Sequence, residues 1–151
     1  MALDDDIRTL SGVALFQSLA DEQLRLLAFG ADKVRLPSGQ RLYREGDIAD
    51  SAFVVTDGRI GLYHSRDGRL NMVGRVEAGE IVSELALIAE SQRLTEAIAL
   101  ADSQLLRLDR KSFKRILEEY PEIAASLYDR IADDLQAMVE RLERLSSHFE
   151  N

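Results

Sequence analysis

The stretch GEIVSELALIAESQRLT, residues 79–95, places an acid and a base on either side of a short apolar turn. Glu84 and Arg93 lie nine positions apart, with residues 85–88 between them. Free N–H groups at the start of a short helix can bind an anion, and an Arg can hold the same anion through two parallel donors. An ionised Glu only accepts hydrogen bonds, so it suits a sugar hydroxyl. A phosphate and a ribose hydroxyl in one pocket describe a nucleotide.

Either residue alone would more simply belong to a solvated ion pair, and residues 85–88 alone to a buried turn. The pair at this spacing, directly after Gly79 and before an apolar strand, favours a binding site.

The same stretch resembles the phosphate-binding cassette of the cyclic nucleotide-binding domain family, usually G-E-L-A-L, a short loop and R-[AST]-A. The resemblance implies that Glu84 binds the ribose 2′-hydroxyl, that Arg93 pairs with the cyclic phosphate and that helix-start amides complete the cradle. It implies cyclic AMP or cyclic GMP as the ligand and no further cofactor. The predicted ligand-binding residues are Ser83, Glu84, Leu85, Ala86, Arg93, Leu94 and Thr95.

Two positions depart from the family pattern. Ser83 stands where the family usually has Gly, and Leu94 and Thr95 replace the small pair after the Arg. A Ser adds a Cβ that would crowd the site, although its hydroxyl could donate to a phosphate. Members that prefer cyclic GMP often have Thr or Ser directly after the Arg, so Leu94 favours cyclic AMP.

A second fragment, YREGDIADSAFVVTDGRIGLY at residues 43–63, resembles the family stretch E-G-D-x-x-D-x-x-[FY]-[VI]-[VI]-x-x-G-x-[VI]. Gly46 and Gly58 fall on its glycine positions. Tight turns between strands need residues that accept positive φ, so these glycines are predicted to serve the scaffold rather than the ligand.

The order of patterns along the chain predicts one mainly β domain over residues 1–151, with flanking helices. Residues 1–32 form N-terminal helices, with a helical pattern from Asp4 to Phe29 and Ser18 or Asp21 as a helix cap. Residues 33–109 alternate short β-prone runs with turns, typical of an antiparallel sandwich or barrel. With the resemblance, this becomes an antiparallel β-roll, a jelly-roll-like double-stranded β-helix with an embedded cassette helix. Residues 110–151 form C-terminal helices.

The last helix is predicted from Pro121 to about Ser147, after a helix capped by Asp109 or Ser112. Its apolar residues follow steps of four and three, which resemble a coiled-coil seam. Either this stripe forms a homodimer, or it packs entirely on its own roll. We expect self-association, because the stripe extends farther than a small roll covers. The charged residues between the steps, Asp134 among them, are predicted to keep the helix solvated. The stripe comprises Ile123, Leu127, Ile131, Leu135, Met138, Leu142 and Leu145.

Composition excludes several function classes. A net charge of −8 without a basic cluster argues against nucleic acid as a partner. The acidic N-terminus lacks the pattern of a signal peptide, no run reaches membrane-spanning length and there are no cysteines, so we expect no membrane association and a cytoplasmic protein. His64 and His148 are too few for a cupin-like metal site and are expected to be solvated. Because no nucleophile motif or phosphate-binding P-loop is present either, we expect no enzyme.

These patterns favour a stand-alone cyclic nucleotide sensor that signals through its C-terminal helices. The alternative is a scaffold that has lost ligand binding and serves as a protein-interaction or dimerisation module, which Ser83 supports. A DNA-binding regulator is not expected, because residues 110–151 leave no room for a helix-turn-helix after the long helix.

Overall fold

The computed structural model describes the backbone of residues 2–150 and the side chains of residues 3–144. Its helices are α1 Ala2–Ser11, α2 Asp21–Phe29, α3 Arg110–Glu119 and α4 Pro121–Glu150, with 3₁₀ turns at Ala14–Phe16 and Glu84–Leu87. Its strands are β1 Asp32–Leu36, β2 Arg41–Tyr43, β3 Ile48–Ala49, β4 Ser51–Asp57, β5 Arg59–Arg66, β6 Arg69–Glu77, β7 Ile81–Val82, β8 Ser91–Gln92, β9 Glu96–Ala99 and β10 Ser103–Asp109. This order confirms a mainly β chain with flanking helices.

The strands form an antiparallel roll. One sheet has the order β1-β10-β4-β7, the second β2-β9-β5-β6, and β3 pairs with β8. Its tight turns use glycine as predicted: Gly46 and Gly58 have φ of 90° and 94°. A Cβ at Gly58 would lie 2.7 Å from the carbonyl oxygen of Asp102, so a larger residue does not fit there.

The helical pattern from Asp4 to Phe29 divides into two helices, α1 and α2. α1 ends at Ser11, whose hydroxyl donates to the carbonyl of Arg8 at 2.7 Å. Such a local bond competes with the helical ladder, and Gly12 follows directly. A 3₁₀ turn then separates α1 from α2.

The predicted cap of α2 is wrong. Neither Ser18 nor Asp21 occupies the cap position, which belongs to Ala20 in an extended conformation. The side chain of Gln23 closes the helix start instead, because its Oε1 accepts a hydrogen bond from the Ala20 N–H at 2.7 Å. Of the two caps predicted for α3, Asp109 is confirmed, since its side chain accepts from the Lys111 N–H.

The apolar stripe of α4 packs on the chain's own roll. Ile123, Leu127 and Ile131 belong to the core between the helices and the β1-β10-β4-β7 sheet. Met138 and Leu142 pack against the second core, which lies inside the roll. We expected the stripe to extend farther than the roll covers, and this is wrong for the stripe up to Leu142, which still packs on the roll. The side chain of Leu145 lies outside the described residues.

Candidate functional site

A cavity with an empty volume of ≈ 520 Å³, solvent-open space included, lies between the β-roll and α4. Tyr43 of β2 and the turn after β7 form its wall on the side of the roll, and α4 closes the other side. The structure brings all the predicted site residues to this cavity. Those residues are Ser83, Glu84, Leu85, Ala86, Arg93, Leu94 and Thr95.

Arg93 follows β8 and is buried, with 6% of its surface exposed. Its Nη1 donates to the carbonyl oxygen of Ser51 at 2.6 Å, and its Nη2 to the Ser51 hydroxyl at 3.4 Å. Its Cζ lies 4.5 Å from the centre of the Tyr43 ring and 5.5 Å from that of Phe53. The cation therefore has neutral and aromatic neighbours at close range.

No carboxylate among the described residues is in ion-pair contact with Arg93, and its Nε is buried without a hydrogen-bond partner there. Burial lowers the pKa of the guanidinium, while the more distant Asp47 and Asp50 oppose that shift. A buried cation with no paired anion is costly. This arrangement can accept a small anion from the cavity.

Ser83 adopts the left-handed conformation that the family's usual glycine would take freely. Its φ is 65° and its ψ is 39°, directly before the Glu84–Leu87 turn. Its hydroxyl donates to the Tyr43 hydroxyl oxygen at 2.9 Å. The Ser is thus accommodated in the turn, and its hydroxyl has a partner within the chain.

Glu84 opens the 3₁₀ turn and is half-buried at the cavity. Burial and, to a smaller extent, Asp134 of α4 raise the pKa of its carboxyl to about 7, while a backbone hydrogen bond opposes them. Burial also raises the pKa of Asp134, opposed by Arg130. Glu84 and Asp134 thus both line the cavity, one from the turn and one from α4.

The remaining predicted residues differ in depth. Ala86 and Thr95 are buried, Leu85 is half-buried, and Leu94 is 38% exposed at the rim. Thr95 and Ser83 both hydrogen-bond the Tyr43 hydroxyl, although burial still raises the pKa of that phenol overall. Small and hydroxyl-bearing residues thus line the deep end of the cavity, near Arg93.

A family model described as "Cyclic nucleotide-binding domain" matches residues 33–120. The chain belongs to this family. A structure of a cyclic nucleotide-binding-like protein from Brucella abortus is 47% identical, with a TM-score of 0.69 over 76% of this chain and 99% of that one.

Two curated relatives place the same domain in different proteins. The cyclic AMP receptor protein of Thermus thermophilus is 26% identical over 138 residues, 91% of this chain and 64% of that protein. The lysophospholipase nte1 of Aspergillus terreus is 32% identical over 125 residues, 82% of this chain and 8% of that enzyme. The chain therefore spans less than a tenth of the length of that fungal relative. A similar domain therefore occurs both in a protein named as a cyclic AMP receptor and in an enzyme named as a lysophospholipase.

Sequence reasoning missed the residues that reach this cavity from outside the cassette. Tyr43 stands at the start of the quoted 43–63 fragment, but nothing in that fragment marks it as a neighbour of Arg93. Asp134, one of the charges of α4 expected to be solvated, is exposed as predicted but also lines the cavity. Leu135 and Met138 line it too, and their helical spacing alone does not distinguish a seam from a lid.

His64 is half-buried rather than solvated, contrary to the prediction. Its Nδ1 lies 3.2 Å from Oε1 of Glu45. The side chain of His148 lies outside the described residues. Within the described part, no group of His, Cys, Asp and Glu has the arrangement of a metal site. No helix found there combines the length and the apolar character needed to cross a membrane.

Proposed function

We propose that the chain is a cyclic nucleotide sensor that binds cyclic AMP in the cavity between the roll and α4. The observation that carries this proposal is the buried Arg93 guanidinium at the cavity wall, which has no ion-pair partner among the residues that the structure describes. A cyclic phosphate bears one negative charge and two free oxygens, which match one guanidinium with parallel donors. Its binding would supply the anion that Arg93 lacks.

Each of the other residues suits one part of the ligand: the ribose, the phosphate or the base. Glu84 in its ionised form accepts a hydrogen bond from the ribose 2′-hydroxyl. Ala86 is small and buried, so the backbone of the turn can approach the phosphate closely. Leu94 at the rim and the apolar side chains Leu135 and Met138 of α4 face the base. Leu94 in place of Thr or Ser, together with the relative that is a cyclic AMP receptor, favours cyclic AMP over cyclic GMP.

Signalling would follow from the direct contact between α4 and the bound ligand. Ile131, Asp134, Leu135 and Met138 line the cavity while α4 also packs on both cores. A ligand that prefers one placement of α4 shifts the population toward it. The C-terminal helices are thus the output of the sensor.

Calorimetric titration of the purified chain with cyclic AMP, cyclic GMP and adenosine tests the proposal. We expect one cyclic AMP per chain, weaker binding of cyclic GMP and no binding of adenosine, which lacks the phosphate for Arg93. A ligand at 100 times its dissociation constant should also stabilise the fold by about 2.7 kcal/mol. If neither cyclic nucleotide binds, the chain is a scaffold with a cyclic nucleotide-binding fold, as the alternative hypothesis states.

We infer that self-association would use the outer face of α4 rather than the stripe that packs on the roll. Tyr128 and Val139 are 45% and 36% exposed, and eleven residues are about three helical turns, so both lie on one face. Ala132 is exposed between them. Light scattering should give twice the chain mass of 16.9 kDa, and Val139→Glu should restore the single mass. A single-chain mass for the unmodified protein would reject the dimer.

A further inference from the structure

Tyr43 occupies a position between the two ends of the cassette. It is the last residue of β2 and is 7% exposed. Its ring lies over the Arg93 guanidinium, with 4.5 Å from Cζ to the ring centre. A second ring, that of Phe53, lies 6.2 Å away at 31°. Tyr43 therefore covers one face of the guanidinium.

The hydroxyl of the same side chain reaches the other end of the cassette. Its oxygen accepts a hydrogen bond from the Ser83 hydroxyl at 2.9 Å. Burial raises the pKa of the Tyr43 phenol, so it stays neutral at physiological pH. Ser83 is the residue in the left-handed conformation, which favours glycine and which a Ser adopts at a cost.

We propose that Tyr43 is a positioning residue that fixes both ends of the anion-binding cassette, Arg93 through its ring and Ser83 through its hydroxyl. The role in ligand affinity rests on the proposed function, whereas the positioning itself does not. The hydrogen bond of the hydroxyl offsets the strain of Ser83. The ring attracts the guanidinium, which no carboxylate in the described part of the chain contacts.

Tyr43 compensates for the Ser that stands at position 83 in place of the family's usual glycine. A glycine would hold the turn without help, because it accepts positive φ freely. A Ser needs a local partner, and Tyr43 supplies one from a strand 40 residues earlier. The two residues should therefore act as a unit.

A double-mutant cycle between Tyr43 and Ser83 tests the hydroxyl. In the unmodified chain, Tyr43→Phe should weaken cyclic AMP binding by roughly two- to tenfold, the range for one lost hydrogen bond. In the Ser83→Gly background, the same substitution should lower affinity by less, because the glycine needs no partner and only the hydrogen bond with Thr95 remains to be lost. Equal losses in both backgrounds would overturn the hydroxyl's role. Tyr63→Phe, on β5 outside the lining residues, is the matched control and should change nothing.

Nuclear magnetic resonance of the unliganded chain tests the ring without any nucleotide. The ring current of Tyr43 should shift the Arg93 Nε–H resonance, so Tyr43→Leu should move it while Tyr43→Phe leaves it in place. The Ser83 amide resonance should move in Tyr43→Phe and stay unchanged in Tyr63→Phe. If neither resonance responds, Tyr43 does not position the cassette. Should Tyr43→Leu fail to fold, the Phe variant alone decides through Ser83.

The two proposals fail in different ways. If the unmodified chain binds no cyclic nucleotide but the resonances respond as described, the proposed function is wrong and the positioning stands. If cyclic AMP binds and Arg93→Met abolishes binding, yet the Tyr43 variants bind like the unmodified chain, the inference is wrong. Tyr43→Leu should otherwise lower affinity by about ten- to thirtyfold, the range for a desolvated cation–π contact.

Discussion

Arg93→Met is expected to abolish cyclic AMP binding while leaving the unliganded chain about as stable as before. Truncating one partner of a buried charge-assisted pair costs roughly 2–5 kcal/mol of binding free energy. Among the described residues of the unliganded chain, however, the close neighbours of the Arg93 guanidinium are the Ser51 carbonyl and hydroxyl and the rings of Tyr43 and Phe53. Removing a buried charge that has no ion-pair partner also removes the cost of its desolvation, which offsets the lost hydrogen bonds to Ser51. The free energy of unfolding, measured with a chemical denaturant, should therefore change by no more than about 1 kcal/mol.

Arg41→Met is the matched control, with the opposite expected pattern. Arg41 pairs with the buried Glu96, with 2.7 Å from Nε to Oε1, and does not line the cavity. Its removal leaves that carboxylate without its ion pair and should destabilise the fold by about 1–2 kcal/mol. Cyclic AMP affinity should stay unchanged. If Arg93→Met binds cyclic AMP like the unmodified chain, Arg93 does not hold the phosphate.

The parts of the site that sequence predicted lie within one short segment. Glu84 and Arg93 are nine residues apart, and the resemblance names the role of each. The turn glycines were predictable for the same reason, since Gly58 fills a local backbone requirement that only its own φ and close neighbours decide. Both the turns of the scaffold and the cassette could therefore be predicted, because each depends on residues that are close together in the sequence.

The parts that sequence missed depend on pairing between distant segments. Tyr43 reaches the cassette because β2 joins β9, and the register of Tyr43 on Ala97 places the strand beside Thr95. Asp134 reaches it because α4 folds back over the roll. Nothing in the helical period of α4 states which neighbour its residues will face. The stripe of α4 shows the same ambiguity, since steps of four and three suit a dimer seam and packing on the roll alike.

The second large effect is a pH dependence of stability centred on Glu84. Its pKa is raised from 4.5 to about 7 by burial and by Asp134, so the folded chain holds a proton that the unfolded chain releases. The stabilisation from the neutral acid is fully present below about pH 4.5 and is lost as pH rises to about 7. Glu84→Gln keeps the neutral shape at every pH. Relative to the unmodified chain, the free energy of unfolding of the variant should rise by on the order of 3 kcal/mol between pH 4.5 and 8.

Urea unfolding of both chains from pH 4.5 to 8.5 measures this difference. Glu118→Gln on the exposed face of α3 is the matched control and should follow the unmodified chain at every pH. Asp134→Asn removes the second cause of the shift, so the gain from Glu84→Gln should shrink in that background. A constant difference between Glu84→Gln and the unmodified chain would show that Glu84 does not titrate in this range.

Folding takes up a proton at Glu84, and ligand binding should release it. The ribose 2′-hydroxyl donates to the ionised carboxylate, so cyclic AMP binding should release the proton of Glu84, and affinity should rise with pH up to about 7 and level off above it. Titrations in buffers of different ionisation enthalpy count that proton directly. The 2′-deoxy analogue of cyclic AMP has no hydroxyl for Glu84, so it should release no proton and show no such rise. Equal pH profiles for the two ligands would remove Glu84 from ribose recognition, even if Arg93 holds the phosphate.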